Sequence, residues 1–321
     1  MLAMPTATPD AGAHPITILD GGMGRELMRM GAPFRQPEWS ALALTQGPDW
    51  VVQAHRNFIA AGAEVITTNS YAIVPFHIGE ARFASSGRAL AALCGDLARQ
   101  AVTDSNKSVR IAASLPPLFG SYRPDLWNAV AAPRIIDALI ESLAPQADIW
   151  LGETLSSIAE ARCVRDGLDR HCSAAAKPLW ISYTLDDFRS GALRSGEPVA
   201  EAVKAAVDLG AEAVLFNCSQ SEAIGAAMPL ARAVAGRQTR IGGYANRFVA
   251  AHGSTGEANE QLAAIRDDLD PPAYGDFVER WTRDGATILG GCCGMTPDHI
   301  RALATRFGTK SARAIDQGKS R

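Results

Sequence analysis

Ala213-Val214-Leu215-Phe216-Asn217-Cys218-Ser219 is an apolar run that stops abruptly on polar residues. Its first four side chains are all hydrophobic and do not alternate, the pattern of a parallel strand buried on both faces. A helical stretch, residues 221–235, follows at once. Strand, polar strand end and helix together make one βα unit. The same rhythm recurs along the chain, with strand candidates at 16–20, 64–68, 109–114, 149–152, 179–183, 213–216, 241–244 and 287–289. Helix candidates fall between them at 48–61, 87–104, 133–145, 156–169, 198–209, 272–284 and 297–307. Pro48 suits a first helical turn and Gly62 suits a C-cap.

About eight βα units in 321 residues predict an α/β fold, a single-domain (β/α)8 barrel of the TIM type. The competing open, doubly wound sheet would carry one dominant glycine-rich phosphate turn after its first strand. Asp20-Gly21-Gly22-Met23-Gly24 lacks the required spacing. The barrel is expected over 15–307, after a loose leader at 1–14 and before a flexible tail at 308–321. Residues 250–270 read as a long loop after the seventh strand.

Composition narrows the function. The chain is 47% hydrophobic and 20% charged with a formal net charge of −3. That balance gives no reason to expect a nucleic-acid or membrane partner. No apolar run approaches the ~20 residues needed to span a bilayer. Met1 to His14 has neither a basic segment nor an apolar core of the signal-peptide kind. Six cysteines in so long a chain make no disulfide framework, and a cytoplasmic protein with reduced thiols is expected. Cys94 and Cys163 read as buried small hydrophobes, and Cys172 as incidental.

The remaining three are different. Cys218 ends the sixth strand, and Cys292 and Cys293 follow the eighth in Gly290-Gly291-Cys292-Cys293-Gly294. A barrel gathers its site at the C-terminal ends of its strands. Asp20, Thr68, Asn69, Glu153, Asn217 and Asn246 fall at strand ends on that same face. Adjacent side chains on a regular strand point to opposite faces. The flanking glycines therefore read as the bend that lets both cysteines meet one metal. Three thiolates with no evident fourth ligand describe an open zinc site, which is the catalytic kind. A vicinal redox pair, Cys292 with Cys293, is the alternative.

Asp20-Gly21-Gly22-Met23, Gly152-Glu153-Thr154, Asn217-Cys218 and Gly290-Gly291-Cys292-Cys293-Gly294 together resemble the homocysteine S-methyltransferase family over nearly the whole chain. The resemblance implies Zn2+ on Cys218, Cys292 and Cys293, and methyl transfer from a small cationic donor to the sulfur of homocysteine, giving methionine. It also implies that Asp20, Gly21, Thr68 and Glu153 bind the amino acid, with Glu153 on its ammonium. Asn69, Asn217 and Asn246 join them as strand-end candidates. An S-methylmethionine-like sulfonium is the favoured donor. Betaine, S-adenosylmethionine or dimethylsulfoniopropionate are alternatives, as are selenocysteine or another thiol as acceptor, or a silent barrel that only binds homocysteine or a partner. The betaine-using branch has tyrosine directly after the glutamate, where this chain has Thr154, and Ala113-Ser114-Leu115-Pro116-Pro117 differs from the Gly-Pro turn of S-methylmethionine enzymes.

A cationic donor needs aromatic faces. Trp39 is the first candidate, then Tyr71, Tyr122 and Trp127, with Met23 beside them. Of the histidines, only His77 approaches this end of the barrel. Stand-alone relatives leave room for a homo-oligomer.

Overall fold

The apolar runs become eight parallel strands in the computed structural model of the chain, which describes residues 14–33, 38, 40–172, 177–250 and 264–308. They are β1 (Thr17–Ile18), β2 (Val65–Thr67), β3 (Arg110–Leu115), β4 (Ile149–Leu155), β5 (Leu179–Tyr183), β6 (Ala213–Asn217), β7 (Arg240–Tyr244) and β8 (Ala286–Leu289). Each pairs in parallel with its sequence neighbour from β2 to β8, and β8 returns to β1. The ring is closed by a parallel bridge between Leu19 and Val65, where Asp20 N–H donates to Val65 O at 3.1 Å and Glu64 N–H to Ile18 O at 2.8 Å. The expected (β/α)8 barrel is therefore the observed architecture.

Helices α1 (Met23–Met30), α2 (Ala41–Gln46) and α3 (Pro48–Ala61) lie between β1 and β2, and α4 (Pro75–Ile78) and α5 (Glu80–Ser105) between β2 and β3. Each later strand is followed by one α-helix: α6 (Ala132–Leu143), α7 (Ile158–His171), α8 (Val199–Asp208), α9 (Ser221–Ala235), α10 (Pro271–Arg283) and α11 (Pro297–Phe307). Strand side chains alternate between two apolar layers. The inner one holds Val65, Ile149, Leu151, Trp180, Leu215 and Ile288; the outer one packs Ile66, Ile111, Ile181, Val214 and Ile241 against the helices. The N-terminal end of the barrel is stoppered by Arg240, whose guanidinium donates to Pro15 O, Thr17 Oγ1 and Thr287 O, each at 2.9 Å. Among the described residues no helix is long and apolar enough to cross a membrane.

Two boundaries differ from expectation. β4 continues past Gly152 to Leu155 through a register shift, with Thr154 at φ 59°. Glu153 thus sits inside the strand's bulge and not at its tip. A bulge on a non-glycine residue leaves no compositional mark. α5 begins at Glu80, ahead of the predicted residue 87, because Gly87 packs on Phe83 and does not break the helix. The expected leader and tail, apart from His14 and Gly308, lie outside the described residues, as do 251–263 of the predicted long loop. The ends of that loop pair through a bridge between Phe248 and Ile265.

His55, in α3, is fully buried, and neither ring nitrogen has a hydrogen-bond partner. Burial pushes its pKa down to about 3, so the folded state refuses a proton that the unfolded chain accepts near pH 6.5. Stability attached to this group is present above that pH and is lost as pH falls below it, at up to about 1.4 kcal/mol per pH unit. The expected result for His55→Leu is a flatter dependence of the unfolding midpoint on pH between 6.5 and 5. An unchanged slope would show that other groups carry the acid sensitivity.

Candidate active site

The chain leaves β6 through Cys218 in a left-handed conformation, φ 50°, with its N–H donating to Tyr244 O at 3.3 Å. That backbone is uncommon for a residue with a Cβ and stores strain of order 1–3 kcal/mol. It turns the Cys218 side chain toward the loop after β8. There Gly291 N–H donates to Asp20 O at 3.0 Å, Cys292 N–H to Ala245 O at 2.8 Å, and Met295 N–H to Cys292 O at 3.0 Å. These bonds fold residues 291–295 into a tight turn. The left-handed residue is Gly294, at φ 84°. Gly290 and Gly291 do other work than the bend expected of them. A Cβ on either would lie within 2.5 Å of Leu19 or Met295, so they permit close packing against β1 and the turn.

The three sulfurs of Cys218, Cys292 and Cys293 lie within 4.8 Å of one another, and Cys218 and Cys293 are 3.8 Å apart. They form one wall of a cavity of about 150 Å³ at the C-terminal end of the barrel. The thiols share charge unequally. Hydrogen bonds from Cys292 and Cys293 hold the Cys218 thiol well below its ordinary value, while donating to Cys218 pushes the other two up. A cation among them would release all three as thiolates.

Two carboxylates share this cavity. Asp20 accepts from Thr67 N–H at 2.7 Å and Thr67 Oγ1 at 3.1 Å. Asp20 does not cap α1, whose N-cap is Gly22. Glu153 accepts from Ser114 Oγ at 2.5 Å and Tyr244 OH at 3.3 Å. Burial lifts Asp20 to about 8 and Glu153 to about 7. Neither forms an ion pair with a described basic side chain. Two buried acids without a cation are costly unless a ligand brings one.

Residues 17–307 match the family described as Homocysteine S-methyltransferase. The chain belongs to that family. It is 27% identical to Homocysteine S-methyltransferase of Escherichia coli strain K12, covering 91% of this chain and 95% of that one. It is 26% identical to a selenocysteine methyltransferase of Astragalus bisulcatus, covering 89% and 90%. Among solved structures it superimposes on the homocysteine methyltransferase MmuM from Escherichia coli, metallated form, with a TM-score of 0.73, 26% identity, and coverage of 91% and 96%. The three-cysteine cluster could hold a metal ion, and the similar MmuM structure is of a metallated form.

Of the residues singled out in the sequence of this homocysteine S-methyltransferase family member, Asp20, Gly21, Met23, Thr68, Asn69, Tyr71, His77, Tyr122, Glu153 and the three cysteines all line the cavity. Asn217 does not. It is fully buried behind the wall, where Oδ1 accepts from Thr154 N–H at 3.1 Å and Ser182 Oγ at 2.7 Å, and Nδ2 donates to Thr154 Oγ1 at 2.7 Å. Its contact with the site is Nδ2 to Cys292 Sγ at 3.9 Å. Asn246 is also off the wall, accepting from Phe248 N–H at 3.1 Å. Trp127 packs edge-on against Phe119, with centroids 5.9 Å apart, outside the cavity. Trp39 lies outside the described residues. Tyr122 is on the wall, but the guanidinium of Arg194 covers its ring at 4.9 Å. A donor cation is excluded from that face.

Sequence reading missed Tyr244, Arg25, Ser121 and Phe248, which also line the cavity, and Ser114, which holds Glu153. Tyr244 was within reach, since it is the last residue of β7. Arg25, Ser121 and Phe248 sit on loops or early in a helix, where no periodicity marks the side that faces the site, and Ser114 lies within β3, one residue before its end.

Proposed function

We propose that this protein transfers a methyl group from a small sulfonium donor, of the S-methylmethionine kind, to the thiolate of L-homocysteine, giving methionine, with zinc as its metal. The observation that carries the reading is one small cavity with three convergent sulfurs on one wall and two cation-deficient carboxylates on another.

The donor set fits zinc. The Cys218 and Cys293 sulfurs are 3.8 Å apart, the edge of a tetrahedron with Zn–S bonds of about 2.3 Å. Cys218, Cys292 and Cys293 would hold the ion. When bound, zinc is a Lewis acid that keeps an acceptor thiol ionised near neutral pH. The chain's residues do the rest. Glu153 and Asp20 receive the homocysteine ammonium, which restores both acids to the carboxylate form. Ser114 and Tyr244 fix the Glu153 carboxylate, Thr67 fixes Asp20, and Thr68 and Asn69 form the adjoining wall. The acceptor sulfur would attack the donor's methyl carbon in line. The methyl carbon forms a bond to sulfur as its bond to the donor breaks, and a neutral thioether leaves. Tyr71 and Met23 line the same cavity and are assigned in this reading to the donor. Residues 15–307 make up the catalytic domain in this reading, and the six free cysteines suit a reducing compartment such as the cytoplasm. The Astragalus bisulcatus relative supports selenocysteine as a second acceptor.

The zinc-loaded protein is expected to form methionine from homocysteine with one member of a panel comprising S-methylmethionine, S-adenosylmethionine, betaine and dimethylsulfoniopropionate. Formation of methylselenocysteine alone would move the acceptor to selenium. No product with either acceptor would overturn the reading.

A further inference from the structure

Three sulfurs beside a methyl donor pose a problem of selectivity, because a protein thiolate is a competing nucleophile. Attack by Cys218 on a methyl sulfonium would form a carbon–sulfur bond on the protein and break the donor's own. The neutral thioether would leave with the electron pair, and the site would be permanently capped. Cys218 lines the cavity.

One contact sets Cys218 apart. The hydroxyl of Tyr122 donates to its Sγ at 2.8 Å. The loop after β3 carries Tyr122 there at φ 63°, a strained conformation for a tyrosine and one that persists only where its surroundings enforce it. The enforcing contacts are visible. Arg194, in the loop after β5, lays its guanidinium over the Tyr122 ring at 4.9 Å. Arg194 Nη2 is itself tied to Asp187 Oδ2 at 2.7 Å, and Asp187 Oδ1 accepts from Gln220 N–H at 2.7 Å. Gln220 is two residues after Cys218. Loops from β3, β5 and β6 thus form a closed ring of contacts that begins and ends beside one sulfur. Among the described residues no hydroxyl donates to Cys292 or Cys293; Cys292 Sγ accepts from Asn217 Nδ2 at 3.9 Å.

We propose that Tyr122 is a protecting residue: its hydroxyl occupies a lone pair of Cys218 and keeps electrophiles, the methyl donor included, from being attacked by the enzyme's own sulfur. Arg194 is the positioning residue that holds Tyr122 in place. The proposal rests on the reading of Cys218 as a metal ligand beside a methyl donor. A hydrogen bond to an anionic sulfur lowers its nucleophilicity because the bond must be broken or weakened on attack.

Iodoacetamide is a suitable probe, since it reacts by the same displacement with iodide as leaving group. Zinc-loaded wild type, Tyr122→Phe and Arg194→Met are treated with it, and alkylation at each cysteine is followed by peptide mass spectrometry. Tyr122→Phe keeps the ring and its stacking, so the fold is preserved, and equal unfolding midpoints would verify this. Cys218 is expected to react about tenfold faster in Tyr122→Phe, the size that loss of one charge-assisted hydrogen bond supports. Cys292 and Cys293 should change little, and Arg194→Met should fall between. Incubation with the sulfonium donor should likewise yield S-methylcysteine at position 218 in Tyr122→Phe and not in wild type. Equal Cys218 rates in all three proteins, or a uniform rise at all three cysteines, would overturn the proposal. Zinc content is measured on the same samples. A wild type that binds no zinc would sink the metal reading, while the alkylation contrast would still decide the role of Tyr122.

Discussion

Cys292→Ser is expected to lose its bound zinc and to slow methionine formation by about a thousandfold or more, because a serine hydroxyl stays protonated where a thiolate binds the metal. The barrel should remain folded. What holds residues 291–295 in place is main-chain bonding, from Gly291 to Asp20, Cys292 to Ala245 and Met295 to Cys292, and the exchange leaves it intact. The side chain loses its sulfur contacts with Cys218 and Cys293 and a 3.9 Å contact with Asn217, all within the site. Metal content by mass spectrometry, turnover, and the circular dichroism of the same preparation separate the effects. Full zinc with full turnover would remove Cys292 from the metal centre. Loss of the folded signal would mean that the residue is structural.

Glu153→Ala should do the opposite in one respect: zinc stoichiometry stays at one, while KM for homocysteine rises by about a hundredfold, as expected when a buried ion pair to substrate loses one partner. The variant also has a signature without substrate. Burial raises Glu153 to about 7, above its unfolded value. Its contribution to stability is therefore complete at acid pH and is lost as pH rises through 7. The ligand-free variant should show a flatter unfolding midpoint between pH 5 and 8 than wild type. Homocysteine should raise the wild-type midpoint most at the upper end of that range, where the carboxylate most needs a cation. A variant that binds homocysteine normally but loses zinc would show that the role was misassigned.

The barrel was legible because its cause is repetitive. A barrel strand is buried on both faces, and runs such as Ile149-Trp150-Leu151 and Ala213-Val214-Leu215-Phe216 carry that in their composition. The cavity-facing positions followed from strand ends alone for Asp20, Thr68 and the cysteines. Where the strand end was misjudged, the reading suffered. Asn217 closes β6 as its last residue, but its side chain turns inward to hold Thr154 and Ser182. The bulge that displaces Glu153 depends on Thr154 at positive φ, which tertiary contacts impose and composition does not reveal. The aromatic candidates fared worst, because loop trajectories decide them. Trp127 went to a packing role with Phe119, and Tyr122 came to the cavity with one face already covered by Arg194.

The order of the cysteines along the chain has a consequence in time. One sulfur comes from β6, and two come from beyond β8, the last strand to be synthesised. During translation from the N-terminus, a chain with seven strands made offers a single sulfur. It also lacks the strand that pairs with β1 and holds Asp20 through Gly291. With zinc on the three cysteines, as proposed, metal capture and ring closure would be the same late event. A chain that stalls before β8 has neither a finished barrel nor the three sulfurs together. Once the ring closes, an ion on the three sulfurs would tie the newest part of the chain to β6, over the end of β7.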